Sequence, residues 1–235
     1  MSGRRAVPLA YALLSTSNPN MTVVETLNRL AHDSDVPTAM NAILSMGVVG
    51  AGSNNARVAG KLKSLASYYS KSREVPASFT VRLAQGLCAM GKGHLTLSPR
   101  LHDRSLICAS SLVGLLGLLH SALELDKTIL DDYHYMLFSL VTNIQPRMVL
   151  AVDAHLRPID KVQVRVGLPV DTVALPGKPK SITGFQTQTT PVILSATDKV
   201  ELADPKYKAV PVVVEGVFVA TAKSNVQVAV AIESK

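Results

Sequence analysis

At 235 residues, with 47% hydrophobic and 17% charged side chains, the chain has enough apolar surface to build a sizeable core, which excludes a disordered polypeptide. Its net charge of +7 is spread over both halves, Trp is absent and aromatics make up 4%, a composition poor in stacking platforms for single-stranded nucleic acid. A mean hydropathy of +0.24 predicts that part of the apolar surface is covered by a partner.

The first residues, MSGRRAVPLAYALLSTSNPN, start basic, but Pro8, Ser15 and Ser17 break the apolar stretch, so no secretory signal is expected. Apolar side chains then recur at three- and four-residue spacing: Leu27, Leu30 and Ala31; Ala39, Ile43, Leu44 and Met46; Val58, Leu62, Leu65 and Ala66. That period predicts amphipathic helices. Turn chemistry at Ser17–Asn20, Asp33–Asp35, Gly50–Asn54 and Ser98–Pro99 keeps them short, giving a string of helical hairpins. Segments 8–18, 38–48 and 81–93 align with one another, at offsets of about 30 and 44 residues, in the range of helix-pair solenoid repeats. Ala42, Gly86, Gly114 and Gly117 are expected where one helix approaches another closely. Cys88 and Cys108 read as buried thiols of a reducing compartment. The apolar run from Leu106 to Leu123 approaches the length of a membrane span. Its Ser110, Ser111, His120 and Ser121, with Glu124 and Asp126 behind, predict a buried helix of a soluble protein instead. Asp131 and Asp132 before YHYMLFSLV fit a helix N-terminus, where carboxylates meet the dipole.

From Arg147 the period changes. RMVLAVD, VQVRVG, VDTVAL, TPVILS, VPVVVEGVFVAT and NVQVAVAI are β-branched runs bounded by turn residues, and two of them alternate with period two. The expected class is therefore α+β: helical repeats over 1–145 followed by a β-rich domain over 146–235.

Candidate chemistry is thin. Gly86-x-x-x-x-Gly91-Lys92-Gly93 lacks the Ser or Thr that a phosphate loop needs for magnesium and follows a helix, so it reads as a helix C-cap turn. Gly50 to Arg57 could hold an anion at a helix N-terminus, but the plainer reading has the glycines supplying positive φ while Ser53 or Asn54 caps the helix through Leu65. His32-Asp33 and His102-Asp103-Arg104 lack a third ligand or a nucleophile, and His94, His120, His134 and His155 are isolated. Pro176 to Lys180 reads as a solvated turn. No catalytic, metal or cofactor residue is expected, and no nucleic acid or membrane partner.

Several words in this order resemble a known family: MGVVGAGSNNAR at 46–57, RLAQGL at 82–87, MGKG at 90–93, QPRM at 145–148 and, most specific, GKPKSITGFQTQTTPV at 177–192. From about Arg5 to Gly216 the chain resembles the large non-ATPase scaffold subunits of the proteasome regulatory particle, built from proteasome/cyclosome repeats. That resemblance implies a segment of a toroidal helical-hairpin solenoid with a C-terminal β-rich domain. It also implies a non-catalytic scaffold of the particle's base in ubiquitin-dependent degradation, located in cytoplasm and nucleus and contacting the ATPases and other base subunits. Ubiquitin-like domains would dock on central repeats not matched here, so no partner-binding residue is carried over. Family members are several times longer, and Val217 to Lys235 does not follow the family ending. The alternatives are a scaffold of the anaphase-promoting complex, which shares the repeat but not the 177–192 words, and a basic helical array binding nucleic acid. The latter predicts Arg57, Lys61, Lys63 and Arg73 gathered on one face without acids.

Overall fold

The computed structural model describes residues 3–71, 75–101, 106–167, 185–209 and 217–222. They form two compact units: the first runs to Leu101 and continues to Gln145, and the second begins at Pro146.

In the first unit, helices α1 (Ala6–Leu14), α2 (Met21–Leu30), α3 (Val36–Val49), α4 (Ala56–Lys71) and α5 (Val75–Cys88) follow one another through short turns. The starts of α2, α3 and α4 are set by side chains that satisfy an otherwise unpaired amide. Asn20 accepts from the Thr22 amide at 2.9 Å, and Asp35 from the Thr38 amide at 3.2 Å, beside Pro37 in the first turn. Asn55 accepts from the amides of Arg57 at 2.9 Å and Val58 at 3.3 Å. The cap of α4 is thus Asn55 rather than Ser53 or Asn54. Asn54 is taken up by the turn itself at φ +48°, and only Gly52 of this loop's two glycines has positive φ.

The centre of the unit is α3, buried on every side from Thr38 to Val49. α1 and α5 flank it, α2 packs on it as the partner of one hairpin, and α4 packs on α5 as the partner of the next. Close approach of α3 and α5 is permitted by Gly47, where a Cβ would lie 2.6 Å from the Ala84 backbone. Leu27, Ile43, Leu44, Met46, Leu62 and Leu65 are wholly buried, and each such side chain contributes roughly 1.5–3 kcal/mol through removal from water.

Helix α6 (Ala109–Ser121) leads through a kinked 3-10 turn (Ala122–Lys127) to a ten-residue 3-10 helix, His134–Asn143. Gly114 lets α6 sit against the Ser139 carbonyl and the Thr142 hydroxyl, whereas a Cβ on Gly86 or Gly117 would meet open space; of the expected close-approach glycines only Gly114 serves that purpose. α6 is shorter than the apolar run, and it is not buried all round: Val113 and Leu116 are exposed. Asp131 and Asp132 precede the 3-10 helix rather than cap an α-helix. Its threefold period puts Leu137, Leu140 and Asn143 inward and lines up Tyr135, Phe138 and Val141 toward solvent. Short strands β1 (Leu95–Leu97) and β2 (Ile144–Pro146) pair as a ribbon. No helix among the described residues is long and apolar enough to cross a membrane.

The second unit contains β3 (Met148–Val152), β4 (Gln163–Gly167), β5 (Phe185–Thr189), β6 (Val192–Ile193), β7 (Lys199–Leu202), β8 (Tyr207–Ala209) and β9 (Val217–Ala222). One antiparallel sheet has the order β5-β4-β7, and a mixed sheet has the order β6-β3-β9-β8, with β3 and β9 parallel. Along β4, Val164 and Val166 are buried while Gln163 and Arg165 face water, as period two demands. They share a core with Val149, Val192 and Leu194. Thr190 ties the start of β4 to the end of β5, its amide donating to the Val162 carbonyl and its hydroxyl accepting from the Val162 amide. The expected strands at VDTVAL and NVQVAVAI, and the first half of VPVVVEGVFVAT, lie outside the described residues.

Candidate docking groove

The residues with catalytic or ligating chemistry are dispersed. Asp33 pairs with Arg4 at 2.7 Å and accepts from the Asp35 amide at 2.9 Å, so it is spent on the turn before α3. His32 meets the Tyr68 ring edge-on at 5.0 Å. His155 donates its amide to Asp153, whose carboxyl is held below the ordinary range chiefly by the Arg157 amide. Among the described residues no group of three or more His, Cys, Asp or Glu is placed to hold a metal. His102, Asp103, Arg104, Arg73 and Pro176 to Lys180 lie outside them.

The two glycine loops brace each other. The Gly52 amide donates to the Leu87 carbonyl at 2.9 Å and the Asn54 amide to the Cys88 carbonyl at 3.2 Å, so these amides are committed within the protein rather than presented to an anion. A Cβ on Gly52 would strike the Leu95 carbonyl. Gly91, Lys92 and Gly93 all take positive φ in the turn before β1, which reads as a helix-to-strand connection and not as a phosphate cradle.

The two thiols differ. Cys88 is buried, and loss of hydration pushes its pKa up. Cys108 is only partly buried at the start of α6; hydrogen bonding, first from the Ser110 hydroxyl, brings it down to about 7. The expectation of two buried thiols therefore fails for Cys108, because it precedes the helix instead of sitting inside it.

A groove of about 710 Å³ lies between α2 and α4. From α2 come Met21, Glu25 and Asn28 at helical spacing, with His32 just beyond it, and from α4 come Arg57, Gly60, Lys61 and Tyr68. Beneath them Val24, Leu27, Val58 and Leu62 anchor both helices in the core, and the buried Tyr69 hydroxyl donates to the Ala31 carbonyl at 2.7 Å. Lys61 bridges the groove to Glu25 at 3.0 Å. Arg57 forms no ion pair among the described residues. The pairing of Lys61 with Glu25 mixes a cation with an acid in the groove, and Arg4 with Asp33 and Arg5 with Asp35 do so elsewhere in the unit, which argues against a nucleic-acid stripe.

Comparison with known sequences places these helices. Residues 41–73, from within α3 through α4, match the proteasome/cyclosome repeat, and residues 173–226 match the family model described as 26S proteasome non-ATPase regulatory subunit RPN1 C-terminal. Over 216 residues, 92% of the chain, it is 52% identical to 26S proteasome non-ATPase regulatory subunit 2 homolog A of Arabidopsis thaliana, covering 24% of that protein. The chain thus carries a match to the proteasome/cyclosome repeat and is similar over most of its length to proteasome non-ATPase regulatory subunits. It is 44% identical to 26S proteasome non-ATPase regulatory subunit 2 of Dictyostelium discoideum over 232 residues, 99% of the chain and 26% of the relative. To 26S proteasome regulatory subunit rpn-1 of Neurospora crassa it is 46% identical over 216 residues, 92% of the chain and 24% of the relative. The chain thus spans about a quarter of the length of these relatives. The α+β class and the resemblance carried by the sequence words are borne out, and the match at 173–226 favours the proteasome over the cyclosome. Sequence reasoning assigned no partner-binding residue. The groove escaped it because its walls come from helices that start 35 residues apart, joined by a pairing, Glu25 with Lys61, that no local motif announces.

Proposed function

We propose that this chain is a non-catalytic scaffold segment of the proteasome regulatory particle base, supporting ubiquitin-dependent degradation by holding other subunits in place. The observation that carries the reading is the similarity, over more than nine-tenths of the chain, to proteins named as regulatory, non-ATPase proteasome subunits. The exposed row of Tyr135, Phe138 and Val141, beside exposed Val113 on the neighbouring α6, supports it, since contiguous apolar surface marks protein contacts. The proposed partners are the ATPases and other base subunits, and the proposed location is the cytoplasm and nucleus, in keeping with two free thiols. Affinity purification of the tagged chain from its own cells, followed by mass spectrometry, tests this: base subunits and ATPases should be recovered, and a monodisperse chain that recovers neither would overturn it.

A further inference from the structure

We propose that the groove between α2 and α4 docks an acidic peptide segment of a partner protein, with a partner carboxylate on Arg57 and the partner backbone lying over Gly60.

Three observations in this one place point the same way. The first is charge. α4 carries Arg57, Lys61, Lys63 and Lys71 and no carboxylate, and Glu25, the acid in the groove, is already engaged by Lys61. Arg57 is left as an exposed guanidinium without a counter-ion among the described residues, a planar donor fork suited to a carboxylate. The second is shape. Gly60 sits in the middle of a sixteen-residue helix, where glycine is unfavourable relative to alanine, yet a Cβ there would meet nothing within 4 Å. Internal packing does not ask for glycine at this position; room for an approaching backbone does. The third is the far wall. Tyr68 is 56% exposed and held edge-on by His32 and Tyr69, so an aromatic surface is fixed in place before anything binds. Within the groove lining, one unpaired cation, Arg57, beside the neutralised Lys61–Glu25 pair suits one or two acidic side chains rather than a phosphate backbone, which needs a run of cations.

This inference rests on the reading of the chain as a protein-binding scaffold and names the chemistry of one partner. Its test uses the full chain, isotopically labelled, titrated with a synthetic twelve-residue peptide alternating Glu and Leu and, separately, with the same peptide carrying Gln for Glu. The expected result is resonance shifts at Asn28, Gly60, Ser64 and Tyr68 with the acidic peptide and none with the Gln version. Arg57→Glu should weaken binding at least tenfold, and Lys63→Glu, on the same helix but outside the groove, less than twofold. Gly60→Leu should raise the melting temperature and still abolish binding, which separates obstruction of the groove from loss of fold. The proposal is overturned by equal binding of the Gln peptide, by equal losses in the two charge reversals, or by a twelve-nucleotide single strand that occupies the groove more tightly than the acidic peptide. A chain that recovers base subunits but shows no peptide shifts sinks the groove alone; one that binds the peptide but recovers no base subunit sinks the scaffold reading and leaves the groove standing.

Discussion

Cys108 and Cys88 show how little a residue type says without its surroundings. Both lie in apolar sequence, but Cys88 is packed in the core, where desolvation disfavours the thiolate, and Cys108 precedes α6 beside the Ser110 and Ser111 hydroxyls, which favour it. Alkylation by iodoacetamide should therefore modify Cys108 in the native chain with a half-maximal rate near pH 7, and Cys88 only after unfolding. Because its folded pKa is lowered, the Cys108 thiolate favours the fold most above the ordinary thiol range, and that contribution is lost as pH falls through about 7. Intact-mass measurement with peptide mapping reads the alkylation outcome. At the start of α4 the same lesson applies: Ser53, Asn54 and Asn55 are all good caps by type, and the sequence does not choose among them. The structure does, by spending Ser53 on the Gly50 carbonyl and Asn54 on a left-handed turn. Asn55→Ala should cost about 1 kcal/mol of stability in urea denaturation, and Asn54→Gly much less.

Among elements, legibility follows amphipathicity. The helical spacing of apolar residues is plain in α2 and α4, whose outer faces are wet, and the period-two run of β4 is equally plain. What the sequence concealed were elements without that contrast. β5 reads FQTQT, with no apolar alternation, and owes its strand state to pairing with β4. The 134–143 segment looked like an ordinary helix, yet its aromatic and β-branched residues follow a threefold period. Helix-interior glycines look alike in the sequence, although their surroundings divide them. Gly47→Leu should destabilise the chain by about 1–3 kcal/mol, because the new side chain meets the Ala84 backbone. Gly86→Ala, facing open space, should stabilise it by about 1 kcal/mol. Thermal melts of the two variants check both signs at once.

At the scale of the whole molecule, α3 is the organising element: every neighbouring helix of the first hairpins packs on it or on α5, which leaves α2 and α4 to form an outer face with a groove between them. Two of the family words of the sequence, 46–57 and 90–93, fall at the loops that brace these hairpins, so the repeat is legible in the sequence while the groove is not. The high hydropathy finds its counterpart in exposed Val113, Leu116, Phe138 and Val141. Phe138→Ser should change stability by no more than about 0.5 kcal/mol and reduce self-association of the isolated chain in sedimentation velocity.

The claim that this chain is a scaffold segment is tested most directly by sedimentation of a cell extract on a glycerol gradient, followed with an antibody to the chain. Assembly predicts that the chain travels with the ATPase subunits in the heavy, peptide-hydrolysing fractions and shifts with them when ATP is withdrawn. A chain confined to the light fractions expected of its own 25.0 kDa would contradict it.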